Sequence, residues 1–90
     1  MEMEMTETKN HHEKVRGIVQ DIVEAIVDRP ELVKVSVTQG DKNFMYEINV
    51  PQEERGKVIG KDGQMAKCLR HLITSLSAKN GARALLDICD

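Results

Sequence analysis

From Val15 onward the apolar residues recur at helical spacing. Val15, Ile18, Val19, Ile22, Ala25 and Ile26 form one stripe, which Val23 and Val27 widen, while Arg16, Gln20, Asp21, Glu24 and Asp28 fall mainly on the other side. Asn10 stands three residues before Glu13, the spacing of a capping box, so the helix is expected to start there. It should stop before Pro30, because the residue ahead of a proline is pushed out of helical angles. The period then drops to two. Val33, Val35 and Val37 alternate with Lys34, Ser36 and Thr38; Phe44, Tyr46, Ile48 and Val50 alternate with Met45, Glu47 and Asn49. The turn-forming run 39–43 between them predicts a hairpin with one face buried. Pro51 ends the second strand and Gln52-Glu53-Glu54 opens a short helix, with acids at its positive end. The helical period returns from Met65 to about Ala78, burying Met65, Cys68, Leu69, Leu72, Ile73 and Leu76, with Lys67, Arg70, His71 and Thr74 opposite. Asn80-Gly81 turns the chain into a last strand with Ala84, Leu86 and Ile88 inward. Helix, strand, strand, helix, helix, strand is the expected order, without an internal repeat.

Ninety residues make one small domain. Its 40% hydrophobic and 31% charged content are those of a soluble globular chain, and no apolar run approaches the roughly 20 residues of a membrane span. Residues 1–11, alternating Met and Glu before Thr, Lys and Asn, show no amphipathic period and are expected to be a disordered acidic tail without signal-peptide layout. Cys68 and Cys89 are far apart in sequence and are expected to be reduced and partly buried, which favours a cytoplasmic location. The formal net charge of −2 speaks against a polyanion as partner, but its distribution reverses that. Residues 1–13 are mainly acidic. Between Arg55 and Lys79, six basic residues face the single acid Asp62, and the local field decides whether a polyanion docks.

The densest candidate chemistry is Lys57-Val58-Ile59-Gly60-Lys61-Asp62-Gly63-Gln64. Gly60 sits where the short helix should end and Gly63 where the next one opens. Uncovered N–H groups at that helix start attract anions, and a phosphate approaches closely where no side chain intervenes. With Lys57 and Lys61 adding full positive charges, two glycines bracketing two polar residues between helices suit a clamp on a nucleic-acid backbone.

The run from Pro51 to Gly63, followed by a helix carrying Ala66, Leu69 and Arg70, resembles the GxxG segment of KH domains, in particular the small stand-alone bacterial KH proteins of the KhpA kind. The resemblance covers residues 12–90 as a single domain. It implies an α+β, type II KH fold of order α-β-β-α-α-β, with a three-stranded mixed sheet, helices packed on one face and the last strand parallel beside the second. It further implies single-stranded RNA as partner, gripped through its backbone by Gly60, Lys61, Asp62 and Gly63. Val58 and Ile59, with parts of Met65, Ala66 and Leu69, would form one wall of a base groove, and the last strand with residues 78–81 the other. Lys57, Gln64, Lys67 and Arg70 would flank it. A role as RNA chaperone or post-transcriptional regulator, and pairing as a homodimer or with another KH-containing protein, are implied in the same way. Asp62 and uncharged Gln64 stand where relatives often carry basic or neutral and arginine residues respectively, so weak and weakly selective binding is expected.

Other chemistries find little support. The single Phe44 and Tyr46 both fall on the expected core face, so no aromatic stacking platform is available. His11-His12 has no acid or thiol at ligand spacing and is expected to be solvent-exposed. Glu53-Glu54 suits helix-start acids better than an acid–base pair, and His71 has no nucleophile at a telling distance. No enzyme, metal, cofactor or membrane association is expected. The alternative function is a KH-fold assembly module with weak or lost RNA binding.

Overall fold

The computed structural model describes residues 3–41, 43–79 and 81–89, with side chains from residue 11 onward. Lys42 and Asn80, assigned above to turns, and the ends of the chain lie outside the described residues. Three α-helices, α1 (Met3–Ile26), α2 (Gln52–Ile59) and α3 (Gln64–Ala78), accompany three strands, β1 (Lys34–Gln39), β2 (Asn43–Asn49) and β3 (Arg83–Cys89). Short 3₁₀ turns occupy Pro30–Leu32 and Lys61–Gly63. The element order and the hairpin are those the apolar periods predict.

The sheet order is β1-β2-β3. β1 pairs antiparallel with β2, Val35 opposite Ile48 and Val37 opposite Tyr46; β3 lies parallel to β2, Tyr46 opposite Leu86 and Glu47 opposite Asp87. A parallel return needs a long crossover, and α2 with α3 supplies it. All three helices cover one sheet face, so the architecture is the α+β, three-stranded mixed-sheet arrangement expected. Val15, Val19 and Val23 from α1, Val58 from α2 and Leu69 and Ile73 from α3 meet Val35, Tyr46, Ile48 and Ala84 of the sheet in one core.

Three sequence expectations change. First, α1 begins at Met3 and runs through Asn10 without a cap there. Met, Glu and Lys are good helix formers and residues 3–16 contain neither Gly nor Pro, so nothing local ends the helix. Glu13 pairs with Arg16 at 2.9 Å instead of closing a capping box. Second, the buried row of α1 is Val15–Val19–Val23–Val27; Ile18 is 39% exposed and Ala25 is exposed. The helix is rotated because Arg16 and Gln20 serve β1: Arg16 donates to the Val35 carbonyl at 3.2 Å, while the Gln20 amide donates to Val33 O at 3.1 Å and accepts from Val35 N–H at 3.2 Å. One side-chain amide thus imitates the peptide group of a neighbouring strand and closes that edge. Third, α3 buries Ala66, Leu69, Ile73 and Ser77, while Met65, Leu72 and Leu76 are half-buried and Cys68 is exposed.

The two histidines are half-buried rather than fully exposed. His12 stacks on Phe44 with ring centroids 4.7 Å apart, and the His11 ring hydrogen-bonds the Leu76 carbonyl at 2.8 Å. These contacts join α1 to β2 and to the last turn of α3.

Candidate nucleic-acid interface

The two turns of α2 are held on three sides, and this fixes where the glycine loop emerges. Val58 is fully buried in the core. Arg55 reaches the Ile88 carbonyl at the end of β3 at 3.4 Å. Glu54, only 3% exposed, accepts hydrogen bonds from Asp28 N–H at 3.3 Å and Arg29 N–H at 3.1 Å, the amides just beyond α1. Glu54 is therefore a buried link between α2 and α1 rather than a simple helix-start acid; its neighbour Glu53 is exposed.

Gly60 closes α2 with φ 81° and ψ 169°, its N–H on Gly56 O at 2.8 Å. That backbone region is essentially open to glycine alone. Gly63 adopts the left-handed helical conformation, φ 73° and ψ 14°. Asp62 does so too, φ 57° and ψ 24°, as the one non-glycine residue with positive φ among those described. Asp and Asn tolerate this region better than other side chains, because a short polar group bonds locally. The odd carboxylate in the loop thus has a conformational reason.

The uncovered amides differ from those expected. The Gly63 N–H turns back to Gly60 O at 3.1 Å and the Gln64 N–H to Lys61 O, so the start of α3 is partly satisfied from within. Lys61 and Asp62, both exposed, have no backbone acceptor for their N–H groups among the described residues. The N–H groups without a backbone acceptor are therefore those of the two residues between the glycines.

The expected site residues divide accordingly. Lys61, Asp62, Gln64, Lys67 and Arg70 are exposed, and Ile59, Gly60 and Gly63 are half-buried around the loop. Val58 is core and offers no surface; Ala66 and Leu69 are likewise buried, while Ile59 and Met65 are partly accessible. Lys57 is exposed too, its side chain 44% accessible, but it is ion-paired. Its ammonium lies 3.2 Å from Asp28 and 3.4 Å from Glu54, which together hold it above its ordinary pKa, Asp28 contributing most. Lys67, Arg70, His71 and Thr74 line a shallow depression on the polar face of α3, beginning one turn after the loop. His71 and Thr74 are additions to the expected set, and their 67–70–71–74 spacing on one helix face is the signal that could have found them.

One further grouping converges on the open sheet face, where Glu47, Asp87 and Cys89 bring one donor atom each within 4.8 Å of one another. Desolvation, and then the hydrogen bond to Asp87, push the Cys89 thiol up, away from the thiolate a metal would need. Among the described residues no helix is long and apolar enough to cross a membrane.

The model of the KhpA/KhpB KH-domain family matches residues 16–88, from the first turns of the buried part of α1 to the end of β3. The chain belongs to that family. The matched stretch includes the glycine loop at residues 60–63. Among curated proteins it is 38% identical to the RNA-binding protein KhpA of Chlamydia pneumoniae, over 77% of this chain and 88% of that one. It is 36% identical to the RNA-binding protein KhpA of Borreliella burgdorferi, over 81% and 89% of the two chains. The RNA-binding protein KhpA of Aquifex aeolicus is 36% identical, over 84% and 96%. No solved structure matches.

Proposed function

We propose that this KH domain binds RNA, and that it grips the phosphate backbone of a single strand with Gly60, Lys61, Asp62 and Gly63. The observation that carries this reading is the pair of amides at Lys61 and Asp62, without a backbone acceptor in an exposed loop between two glycines and followed by Lys67 and Arg70 on α3. Amides at positive-φ turns form a concavity for anions, and KH loops clamp backbone in this way. Bases would lie beside Ile59 and Met65, with Gln64, Lys67 and Arg70 along the strand. Paired bases hide the edges that such a groove meets, so single strands are the favoured substrate. That the relatives are named RNA-binding proteins supports the same reading.

In this reading the chain has no catalytic role, works in the cytoplasm and acts as an RNA chaperone or post-transcriptional regulator. Pairing with a second copy or another KH-containing protein would couple two weak loops and raise avidity. The exposed Ile18 and Leu32 favour such an interface, and they also favour the second reading, a protein-assembly module. Fluorescence titration with a pool of short single-stranded RNAs separates the two. Lys61→Asp should abolish binding and leave the circular dichroism unchanged; binding that survives it would remove the loop from the interface.

A further inference from the structure

A buried carboxylate, a lysine and a second carboxylate stand directly behind the loop. Glu54 accepts the Asp28 and Arg29 amides, and Lys57, three residues later on the same face of α2, bridges Glu54 and Asp28. A carboxylate with almost no solvent of its own is tolerated only when its oxygens are engaged, and here two amides and one ammonium engage them. The ammonium in turn is shared between two carboxylates, although its side chain stays 44% exposed and that of Asp28 77%. A phosphate approaching Lys57 competes with two carboxylates already within 3.4 Å, so the group as a whole is net negative.

The arrangement has a mechanical consequence. The loop has positive φ at Gly60, Asp62 and Gly63, angles that glycine adopts freely and aspartate tolerates, so its orientation depends on how α2 and α3 hold its two ends. α2 is two turns long and ends in Gly60. Glu54 and Lys57 lock its outer face to the end of α1, Arg55 ties it to β3 and Val58 to the core. The helix cannot swing without breaking one of these links, so the loop amides keep their aim.

We infer that Lys57 is a positioning residue, acting with Glu54 and Asp28 to hold α2 and the GxxG loop, and that Lys61, Lys67 and Arg70 supply the cations that meet RNA phosphate. This assignment rests on the RNA-binding reading and removes Lys57 from the contact surface that the sequence suggests.

Salt dependence tests it, because each phosphate contact to a single strand contributes about 0.7 to the slope of log affinity against log salt. The probe is a fluorescein-labelled single-stranded RNA decamer pool, titrated against the full chain at several salt concentrations. Lys67→Gln and Arg70→Gln should each lower the slope by about 0.7. Lys57→Met should weaken binding with the slope unchanged and shift the Gly60 and Gly63 amide resonances of the RNA-free protein. Lys57→Arg, which keeps both ion pairs, should restore them. A slope loss of about 0.7 for Lys57→Met, or glycine resonances that do not move, would overturn the inference while leaving the RNA reading intact. An unmodified chain that binds no RNA would overturn both. If Lys57→Met proves too unstable, Lys57→Gln gives the same slope comparison with a smaller change of polarity.

Discussion

Gly60 and Met65 pass so closely that a β-carbon on Gly60 would stand 2.7 Å from that of Met65 and 2.8 Å from its backbone nitrogen. Nothing lies within 4 Å of the equivalent position on Gly63. The two glycines of one motif are thus required for different reasons. Gly63→Ala should cost about 1 kcal/mol, the strain of a left-handed residue. Gly60→Ala adds a steric overlap to a backbone region closed to side chains, and should cost roughly 3 kcal/mol or more. Urea unfolding of the two variants measures the gap, and equal losses would contradict the packing at Met65.

Asp62 occupies a left-handed position that asparagine also tolerates, so Asp62→Asn should leave stability nearly unchanged. Removing a carboxylate about 8 Å from a phosphate in a watery environment should gain roughly 0.5–1 kcal/mol, a two- to fivefold tighter complex with RNA. Titration at low salt is the measurement. Unchanged affinity would mean that the strand does not pass the loop.

Glu53 and Glu54 are neighbours with opposite expectations. Glu53→Ala changes an exposed side chain and should stay within about 0.5 kcal/mol of the parent. Glu54→Ala strands the Asp28 and Arg29 amides and should cost roughly 1–3 kcal/mol in denaturant unfolding. Comparable losses at both positions would deny Glu54 its linking role.

Alkaline pH should destabilise the protein. Desolvation raises the Tyr46 phenol above its ordinary 10.0, opposed in part by the Ser77 hydroxyl nearby, although neither oxygen reaches good hydrogen-bond geometry with any partner. Asp28 and Glu54 raise Lys57 above 10.5, and Cys89 stands above 9.0. All three bind their proton more tightly in the folded state. Their contribution is therefore fully present below the unfolded values and is lost as pH rises through the folded ones. Urea midpoints should fall from about pH 9 upward. Tyr46→Phe should be no less stable at neutral pH, because the hydroxyl it loses has no partner, and should flatten that decline.

Much of this was written along the chain. Strand alternation placed Tyr46, Ile48 and Val50 inward, and Pro51, Gly60 and Gly63 bounded α2 and opened α3. Those features are local, because a side chain's face on a strand follows from pleating and a glycine's angles from its missing β-carbon. The rotation of α1 was not legible. A stripe including both Ile18 and Val23 is wide enough to dock in more than one phase, and hydrogen bonds from Arg16 and Gln20 to β1 select the valine row. Cys68 was misplaced for a similar reason, since α3 turns Ala66 and Ser77 inward.

The sequence by itself determined the order of elements, the hairpin and the glycine loop, since each depends on periodicity or backbone freedom within a few residues. Tertiary structure alone decided which charges the loop has at its disposal. Lys57 and Lys61 are four residues apart and alike in composition. Both are exposed, but the first is paired with Asp28 from a distant turn, while the second has no acidic partner among the described residues. Charge becomes paired through proximity, and proximity between segments far apart in the chain exists only once the core has closed.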